Sequence, residues 1–143
     1  MRKKVIFIRG SGCVGKSTSI RYAYGELIGL GAKQLPDYFY GAGKDFLDIL
    51  ELRGFKIGIW SGGDVARILR MRLKTLKQER CDVIVCACHP GRKEGQRGKT
   101  EQAIRDTLRG YRAIPIDKSH AASKSKQDEE NRQSATEIVR AIF

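Results

Sequence analysis

The residues whose types and spacing best suit chemistry lie near the amino terminus, where glycines precede a lysine and two hydroxyl residues. Positions 10–17 read Gly-Ser-Gly-Cys-Val-Gly-Lys-Ser, and Thr18 follows them. Glycines let the backbone adopt conformations that other residues avoid, so that successive N–H groups can converge on an anion. A helix that begins at Lys16 would add its unpaired N–H groups and the positive end of its dipole. The pattern therefore predicts a phosphate-binding loop.

Two side chains of this segment extend the prediction from a phosphate to a nucleotide with its metal. Lys16 supplies a mobile positive charge for the β- and γ-phosphates, which makes it a candidate catalytic residue, and the Ser17 hydroxyl can ligate Mg²⁺, a cation that prefers oxygen. Cys13 either gains acidity from the surrounding N–H groups or simply fills space. The expected nucleotide-binding residues are Gly10, Ser11, Gly12, Cys13, Val14, Gly15, Lys16, Ser17 and Thr18.

Apolar patterns indicate which elements hold this segment in place. Continuous apolar runs predict strands that are buried on both faces at Lys4–Arg9 and 81–88, and a last short strand is predicted at 112–116. Apolar residues at helical spacing predict four helices, which start at Lys16, at Val65, at Thr100 and, through a capping box, at Ser125. A tight turn at 53–54 joins 46–52 and Phe55–Trp60 into an antiparallel hairpin. The aromatic stretch 33–44 is expected to be irregular, either as a substrate-facing loop or as a linker.

The order of the elements and the size of the chain define the expected fold. Strands alternate with helices, which predicts an α/β fold: a three-layer sandwich with a mostly parallel sheet, helices on both faces and one antiparallel hairpin. The chain has 143 residues, of which 41% are apolar, and this is enough for a single domain over 1–143 with its own core. The polar stretch 118–126 is expected to link the body of the domain to the last helix.

Composition narrows the expected location and partners. Every apolar run is shorter than the ~20 residues that span a membrane, and the run at 5–8 is too short for a signal peptide. We therefore expect a cytoplasmic protein with no membrane partner. The 28 Lys and Arg residues against 16 Asp and Glu give a net charge of +12, which favours anionic partners. Cys81, Cys86 and Cys88 are expected to be reduced thiols that pack as small apolar groups, rather than a metal cluster with His89.

Positions 10–17 fit the motif G-x-x-x-x-G-K-[ST], and on this motif the sequence resembles the P-loop NTPases. The short strand–helix build is most similar to the small nucleotide-kinase-like branch of that superfamily. The resemblance covers 5–18, about a tenth of the chain. It implies a fold of the P-loop NTPase type and the binding of ATP, or another nucleoside triphosphate, together with Mg²⁺. It does not imply a particular reaction.

The resemblance also implies an acidic residue that holds magnesium at the end of another strand. The usual Asp is missing after Cys88, where His89 follows, and the nearest candidate is Asp64, four residues beyond Trp60. Ligands gather at the carboxyl ends of parallel strands, so we expect Asp64 to be a metal ligand beside Ser17 and a catalytic residue, or else a helix cap. Three further residues stay unranked as possible general bases: Asp37, Asp45 and Asp48.

A second stretch with chemical potential is the basic, glycine-rich segment 90–100. Nucleotide kinases have a similar segment between a strand and a helix, which forms a lid over the site. Arginines of such a lid neutralise charge that develops on the transferring phosphoryl group, an effect worth about 10³–10⁵ in rate. By this resemblance Arg92 and Arg97 are predicted to be catalytic; the alternative is an ordinary exposed basic loop.

Three functions remain open on the sequence. The first is an NTP hydrolase or a small phosphotransferase, whose small-molecule acceptor would bind near 38–44 and the hairpin. The second is a nucleotide-dependent switch that turns over slowly and binds a protein partner. The third is a basic nucleic-acid-binding NTPase, which the basic face of the predicted second helix would suit: Arg67, Arg70, Lys74 and Lys77. The sequence indicates no oligomeric state.

Overall fold

The computed structural model describes residues 2–11, 14–91, 98–119, 121 and 123–143. Within these ranges the chain is an α/β fold that contains seven strands and four helices. The strands are β1 (Lys4–Arg9), β2 (Lys33–Gln34), β3 (Tyr40–Ala42), β4 (Asp45–Leu52), β5 (Phe55–Trp60), β6 (Val83–Cys88) and β7 (Arg112–Asp117). The helices are α1 (Lys16–Gly29), α2 (Ala66–Gln78), α3 (Lys99–Thr107) and α4 (Lys124–Ile142).

The sheet is mixed, and the prediction of a mostly parallel sheet is wrong. Its order is β2-β4-β5-β6-β1-β7, with β3 also paired to β4. The pairs β5–β6, β6–β1 and β1–β7 are parallel, whereas β4 is antiparallel to β5 and to both short strands. The predicted hairpin of β4 and β5 is confirmed. The difference arises in 33–44, where backbone groups of an expected irregular segment pair with the free edge of β4 and so form β2 and β3.

The continuous apolar runs are explained by two apolar cores, one on each face of the sheet. The first core contains the inward residues of α1 and α4: Ile20, Ala23, Leu27, Ala135, Ile138 and Ile142. The second contains those of α2 and α3: Leu69, Leu73, Leu76, Ala103 and Ile104. In β1, Ile6 and Ile8 belong to the first core, whereas Val5 and Phe7 belong to the second. Successive side chains of a strand alternate between faces, so a strand covered on both faces is apolar throughout.

One edge of the sheet collects the strand ends that position the site. Because β5, β6, β1 and β7 are parallel, their carboxyl ends lie together, and Arg9 is level with Cys88 on one side and with Asp117 on the other. In the antiparallel hairpin Leu47 pairs with Trp60, so the amino end of β4 reaches this same edge. The helices α1 and α2 both begin here, just after β1 and β5 end.

The last helix begins earlier than the sequence indicates. Its N-cap is Ser123, whose Oγ accepts a hydrogen bond from the Lys126 N–H at 3.3 Å. The predicted capping box at Ser125 and the predicted linker 118–126 are therefore wrong at this boundary, because the first helical residue is Lys124. In the described part of the chain, no helix has the length and apolar character needed to cross a membrane.

Three cysteines are buried free thiols. Cys81, Cys86 and Cys88 all belong to the core under α2 and α3. Burial raises the pKa of Cys81 and of Cys88 to about 12, and it raises that of Cys86 well above the ordinary value. These thiols therefore pack as small apolar groups.

The raised thiol pKa values give a prediction about reactivity. Because the thiolate is the reactive form, raising the pKa of Cys88 from 9.0 to about 12 lowers its thiolate fraction at pH 8 about 10³-fold. In a Cys13→Ser variant, the remaining thiols should react slowly with Ellman's reagent in the native protein and at once in concentrated guanidinium chloride. A native thiol that reacts as fast as free cysteine would contradict the burial described here.

Candidate functional site

The ammonium group of Lys16 is buried at the amino end of α1. Its side chain is 7% exposed, and Nζ donates hydrogen bonds to the carbonyl oxygens of Gly10 at 2.7 Å and Cys88 at 3.3 Å. These carbonyls lie just beyond β1 and at the end of β6. Asp64 Oδ1 is 3.4 Å from the same Nζ. A buried charge needs such acceptors, so the ends of two parallel strands fix where the ammonium group lies.

Val14 and Gly15, just before Lys16, contact α4, and no prediction from the sequence indicated this contact. Gln127 Nε2 donates hydrogen bonds to the Val14 carbonyl at 2.6 Å and to Asn131 Oδ1 at 2.9 Å. Gly15 has φ +89°, and a Cβ there would lie 2.2 Å from Asn131 Oδ1. Ser19 Oγ, one turn into α1, also lies 3.4 Å from that oxygen. Val14 and Gly15, the described residues just before Lys16, therefore pack against a polar patch of α4.

Ser17 faces an acidic residue, but it is not the one predicted. Its Oγ donates a hydrogen bond to the Ser61 carbonyl at 3.1 Å and lies 3.4 Å from Asp45 Oδ1. Ser61 Oγ is 3.3 Å from the same carboxylate oxygen and accepts the Phe46 N–H at 2.9 Å. Asp45 is the first residue of β4. The predicted antiparallel hairpin could have indicated Asp45, because it brings the start of β4 beside the end of β5.

Asp64 lies beside Lys16 rather than on a helix cap. Its Oδ1 is 2.7 Å from His89 Nε2, in addition to the contact with Lys16, and its side chain is 69% exposed. The helix-cap alternative for Asp64 is wrong, because α2 has Val65 as its N-cap and that residue makes no side-chain cap hydrogen bond. His89 follows β6, where the sequence placed it at the sheet edge without a role. Asp64 thus joins two groups that carry or can carry positive charge.

Two neighbouring pockets, which share part of their lining, open between these residues. A cavity of about 180 Å³, the lysine pocket, is lined by Gly15, Lys16, Ser17, Thr18, Ser61, Gly63, Asp64 and Ala87. A cavity of about 340 Å³, the arginine pocket, is lined by Tyr40, Asp45, Trp60, Gly62, Gly63, Asp64, Val65, Ile68 and Arg72. The wall between them is Gly63 and Asp64. A Cβ at Gly63 would lie 2.2 Å from the Ala87 carbonyl oxygen, so only glycine lets the loop after β5 pack this closely on β6.

The structure distributes the predicted site residues as follows. Thr18 lines the lysine pocket, Val14 is fully buried, and Ser11 is exposed. Four of the predicted residues lie outside the described part of the chain: Gly12, Cys13, Arg92 and Arg97. The described ends of the predicted lid adjoin the site, because the His89 N–H donates a hydrogen bond to Thr100 Oγ1 at 2.8 Å.

A separate ion-pair network fixes the neighbouring strand ends. Arg9 donates hydrogen bonds to both carboxylate oxygens of Asp117, at 2.6 and 3.0 Å, and to Glu101 Oε1 at 3.0 Å. The hydrogen bond from Arg9 lowers the pKa of Asp117. Burial opposes ionisation of Glu101, but hydrogen bonds from Arg9 and Arg105 outweigh it and lower the pKa of this carboxyl. The Arg9 guanidinium is therefore committed to these two carboxylates.

Comparison of the chain with protein-family models, with curated proteins and with solved structures finds no match. The assignment of a function therefore depends on the chemistry of the two pockets.

The surroundings of two glycines, Gly15 and Gly25, predict opposite effects when each is replaced by alanine. Gly15→Ala should destabilise the protein, since a left-handed non-glycine residue costs about 1–2 kcal/mol and the new Cβ displaces Asn131. Gly25→Ala, also on α1, should stabilise it by up to about 1 kcal/mol, because no described atom lies within 4 Å of a Cβ there. Urea unfolding measures both, and equal effects would contradict the contact with Asn131.

Proposed function

We propose that this chain is a P-loop nucleotide-binding protein that binds a nucleoside triphosphate with Mg²⁺ and hydrolyses or transfers its γ-phosphate. One observation carries the proposal: the Lys16 ammonium and the Ser17 hydroxyl line the same pocket at the start of α1, at the carboxyl ends of parallel strands. Ligands of open α/β sheets bind at this edge, and helix amino ends favour anions. Lys16, Ser17 and the start of α1 are therefore sufficient to propose phosphate as the class of ligand.

The lysine pocket suits a polyphosphate chain for electrostatic reasons. The first turn of α1 contributes backbone N–H groups that have no partner within the helix, and Thr18 adds a hydroxyl at the wall. Two of the present acceptors of Lys16 Nζ are neutral carbonyl oxygens. A phosphate oxygen would be a charge-assisted acceptor, which makes a shorter and stronger hydrogen bond. We therefore expect the ammonium group to exchange these carbonyl acceptors for a phosphate oxygen, which binds it more strongly.

The residues beside Ser17 fit magnesium. Its hydroxyl and the Asp45 carboxylate are oxygen donors, the type that Mg²⁺ prefers, and the ion normally completes its shell with water and substrate phosphates. Among the described residues there is no group of three or more His, Cys, Asp or Glu side chains that could hold a metal, so phosphate oxygens would have to contribute. When bound, the ion would neutralise charge on the β- and γ-phosphates. We assign its acidic partner to Asp45, in place of Asp64.

Asp64 is then available to act on the attacking group. It stands at the wall of the lysine pocket, and His89 Nε2 holds one of its oxygens at 2.7 Å. In hydrolysis, a water oxygen forms a bond to the γ-phosphorus while the bond from that phosphorus to the bridging β,γ-oxygen breaks and its electron pair stays on the diphosphate; one proton of the water passes to the Asp64 carboxylate and the other stays on the phosphate. The products are the nucleoside diphosphate and inorganic phosphate. A carboxylate in this position also orients the water.

Calorimetry with ATP tests the nucleotide site. Wild-type protein should bind ATP with Mg²⁺, and Lys16→Met should weaken binding about 10–100-fold, because it removes a hydrogen bond from a charged donor. Lys74→Met, an exposed lysine on α2, is the matched control and should bind like wild type. Absence of heat with any nucleoside triphosphate, in folded protein, would overturn the proposal. Tight binding with no measurable release of phosphate would favour the nucleotide-dependent switch.

The two acidic residues should separate in their dependence on magnesium. Asp45→Asn should raise the Mg²⁺ concentration for half-maximal ATP binding about 10-fold and have little effect in EDTA, since Asp45 lies beside Ser17. Asp64→Asn should leave that concentration unchanged and lower the turnover rate. Asp37→Asn is the control: this residue is exposed, and asparagine tolerates its φ of 69°. A larger effect of Asp64→Asn on the magnesium dependence would return the metal role to Asp64.

A further inference from the structure

The guanidinium group of Arg72, on α2, lies over two aromatic rings. Its central carbon lies 4.3 Å from the ring centroid of Tyr40 and 5.1 Å from that of Trp60. Its Nε is buried, yet it makes no hydrogen bond with any group in the described part of the chain. A buried charged donor without an acceptor is costly, whereas the ring faces only attract the positive charge. The arrangement therefore leaves an anion-binding edge unused.

This edge belongs to a pocket of the right size for a small molecule. The arginine pocket has a volume of about 340 Å³, within the range of ordinary ligand sites. Its walls combine the apolar side chains of Val65, Ile68 and Trp60 with three charged groups: Arg72, Asp45 and Asp64. One cation and two carboxylates suit a ligand that carries both an anion and hydroxyl groups, because carboxylates accept hydrogen bonds from hydroxyls.

We propose that the arginine pocket binds the phosphoryl acceptor, a small molecule that carries one phosphate or carboxylate group and at least one free hydroxyl. This inference rests on the proposed function, since it supplies the second substrate of the same site. Arg72 would hold the anionic group, because a guanidinium presents parallel N–H donors to an oxyanion. The rings of Tyr40 and Trp60 restrict the guanidinium plane of Arg72, so that its N–H groups point in a constant direction. Arg72 is thus the residue that selects the acceptor.

The shared wall of the two pockets defines the transfer step. Asp64 lines both cavities, so a hydroxyl of the acceptor beside it also faces the end of the lysine pocket. The hydroxyl oxygen forms a bond to the γ-phosphorus while the bond from that phosphorus to the bridging β,γ-oxygen breaks. The leaving electron pair stays on the nucleoside diphosphate, and the hydroxyl proton passes to the Asp64 carboxylate. The other product is the phosphorylated acceptor.

Tryptophan fluorescence gives a direct test without any nucleotide. Trp60 is the single tryptophan of the chain, it is 3% exposed, and it contacts the Arg72 guanidinium. Its emission should change saturably on titration with glycerol 3-phosphate or with glycerate, and hardly with glycerol. The two anions distinguish a phosphate ligand from a carboxylate ligand, and tighter binding of either than of inorganic phosphate supports the proposal. A response to none of these anions overturns it.

Variants decide where the anion binds. Arg72→Gln should raise the half-saturating concentration at least about 10-fold, as expected for the loss of charged hydrogen bonds, and Arg72→Lys should recover part of the binding. Arg70→Gln, an exposed arginine on the same helix, is the matched control and should behave like wild type. If Arg72→Gln and Arg72→Lys both leave the titration unchanged, the proposal is wrong.

The same titration on Lys16→Met separates the two proposals. Anion binding in the arginine pocket should survive this substitution. A response that is lost in Lys16→Met and kept in Arg72→Gln would place the anion in the lysine pocket, which overturns the inference and leaves the proposed function standing. Conversely, an anion response that depends on Arg72 in a protein that binds no nucleoside triphosphate would overturn the proposed function and, with it, the acceptor role, and would leave only an anion-binding pocket at Arg72.

Discussion

The need to satisfy one buried ammonium group determines how the site is built. Lys16 Nζ is surrounded by the carbonyl oxygens of Gly10 and Cys88, and these can converge only because β1 and β6 are parallel and level at their carboxyl ends. Both strands are apolar runs that contribute side chains to the cores on both faces of the sheet. By burying β1 and β6, the two hydrophobic cores thus position the carbonyl oxygens that bind the Lys16 ammonium group, although this group lies outside both cores.

Around this charge, the hairpin and the loop after β5 divide the site into two chemically distinct cavities. The lysine pocket is small and polar, with a hydroxyl, an ammonium group and a helix amino end. The arginine pocket is larger and combines aromatic walls with three charged groups. Asp64 is common to both, and His89 Nε2 lies 2.7 Å from one of its carboxylate oxygens. A single carboxylate therefore connects the site expected to hold the triphosphate with the site expected to hold its acceptor.

Local patterns predicted the local parts of this architecture. The apolar runs and the glycine–lysine spacing predicted β1, α1, the hairpin and β6, since each depends on neighbouring residues alone. The acidic neighbour of Ser17 depends on strand direction and register: Asp64 was predicted because it follows the carboxyl end of a strand, whereas Asp45 starts β4, which the antiparallel hairpin brings to the same edge. Arg72 was missed because its partners come from β3 and β5. Asn131 stood on the apolar stripe of α4 with Ala135, Ile138 and Ile142, and that exception was the available signal.

The contact between α4 and the glycine loop ties together residues far apart in the chain. Gln127 reaches the carbonyl of Val14 across 113 positions, and Asn131 occupies the space that any side chain at residue 15 would need. During synthesis, the residues around Lys16 therefore leave the ribosome long before α4, the helix that contacts Val14 and Gly15. A nascent chain can assemble its central strands early, but Val14 and Gly15 gain their contacts with Gln127 and Asn131 only when α4 has been translated.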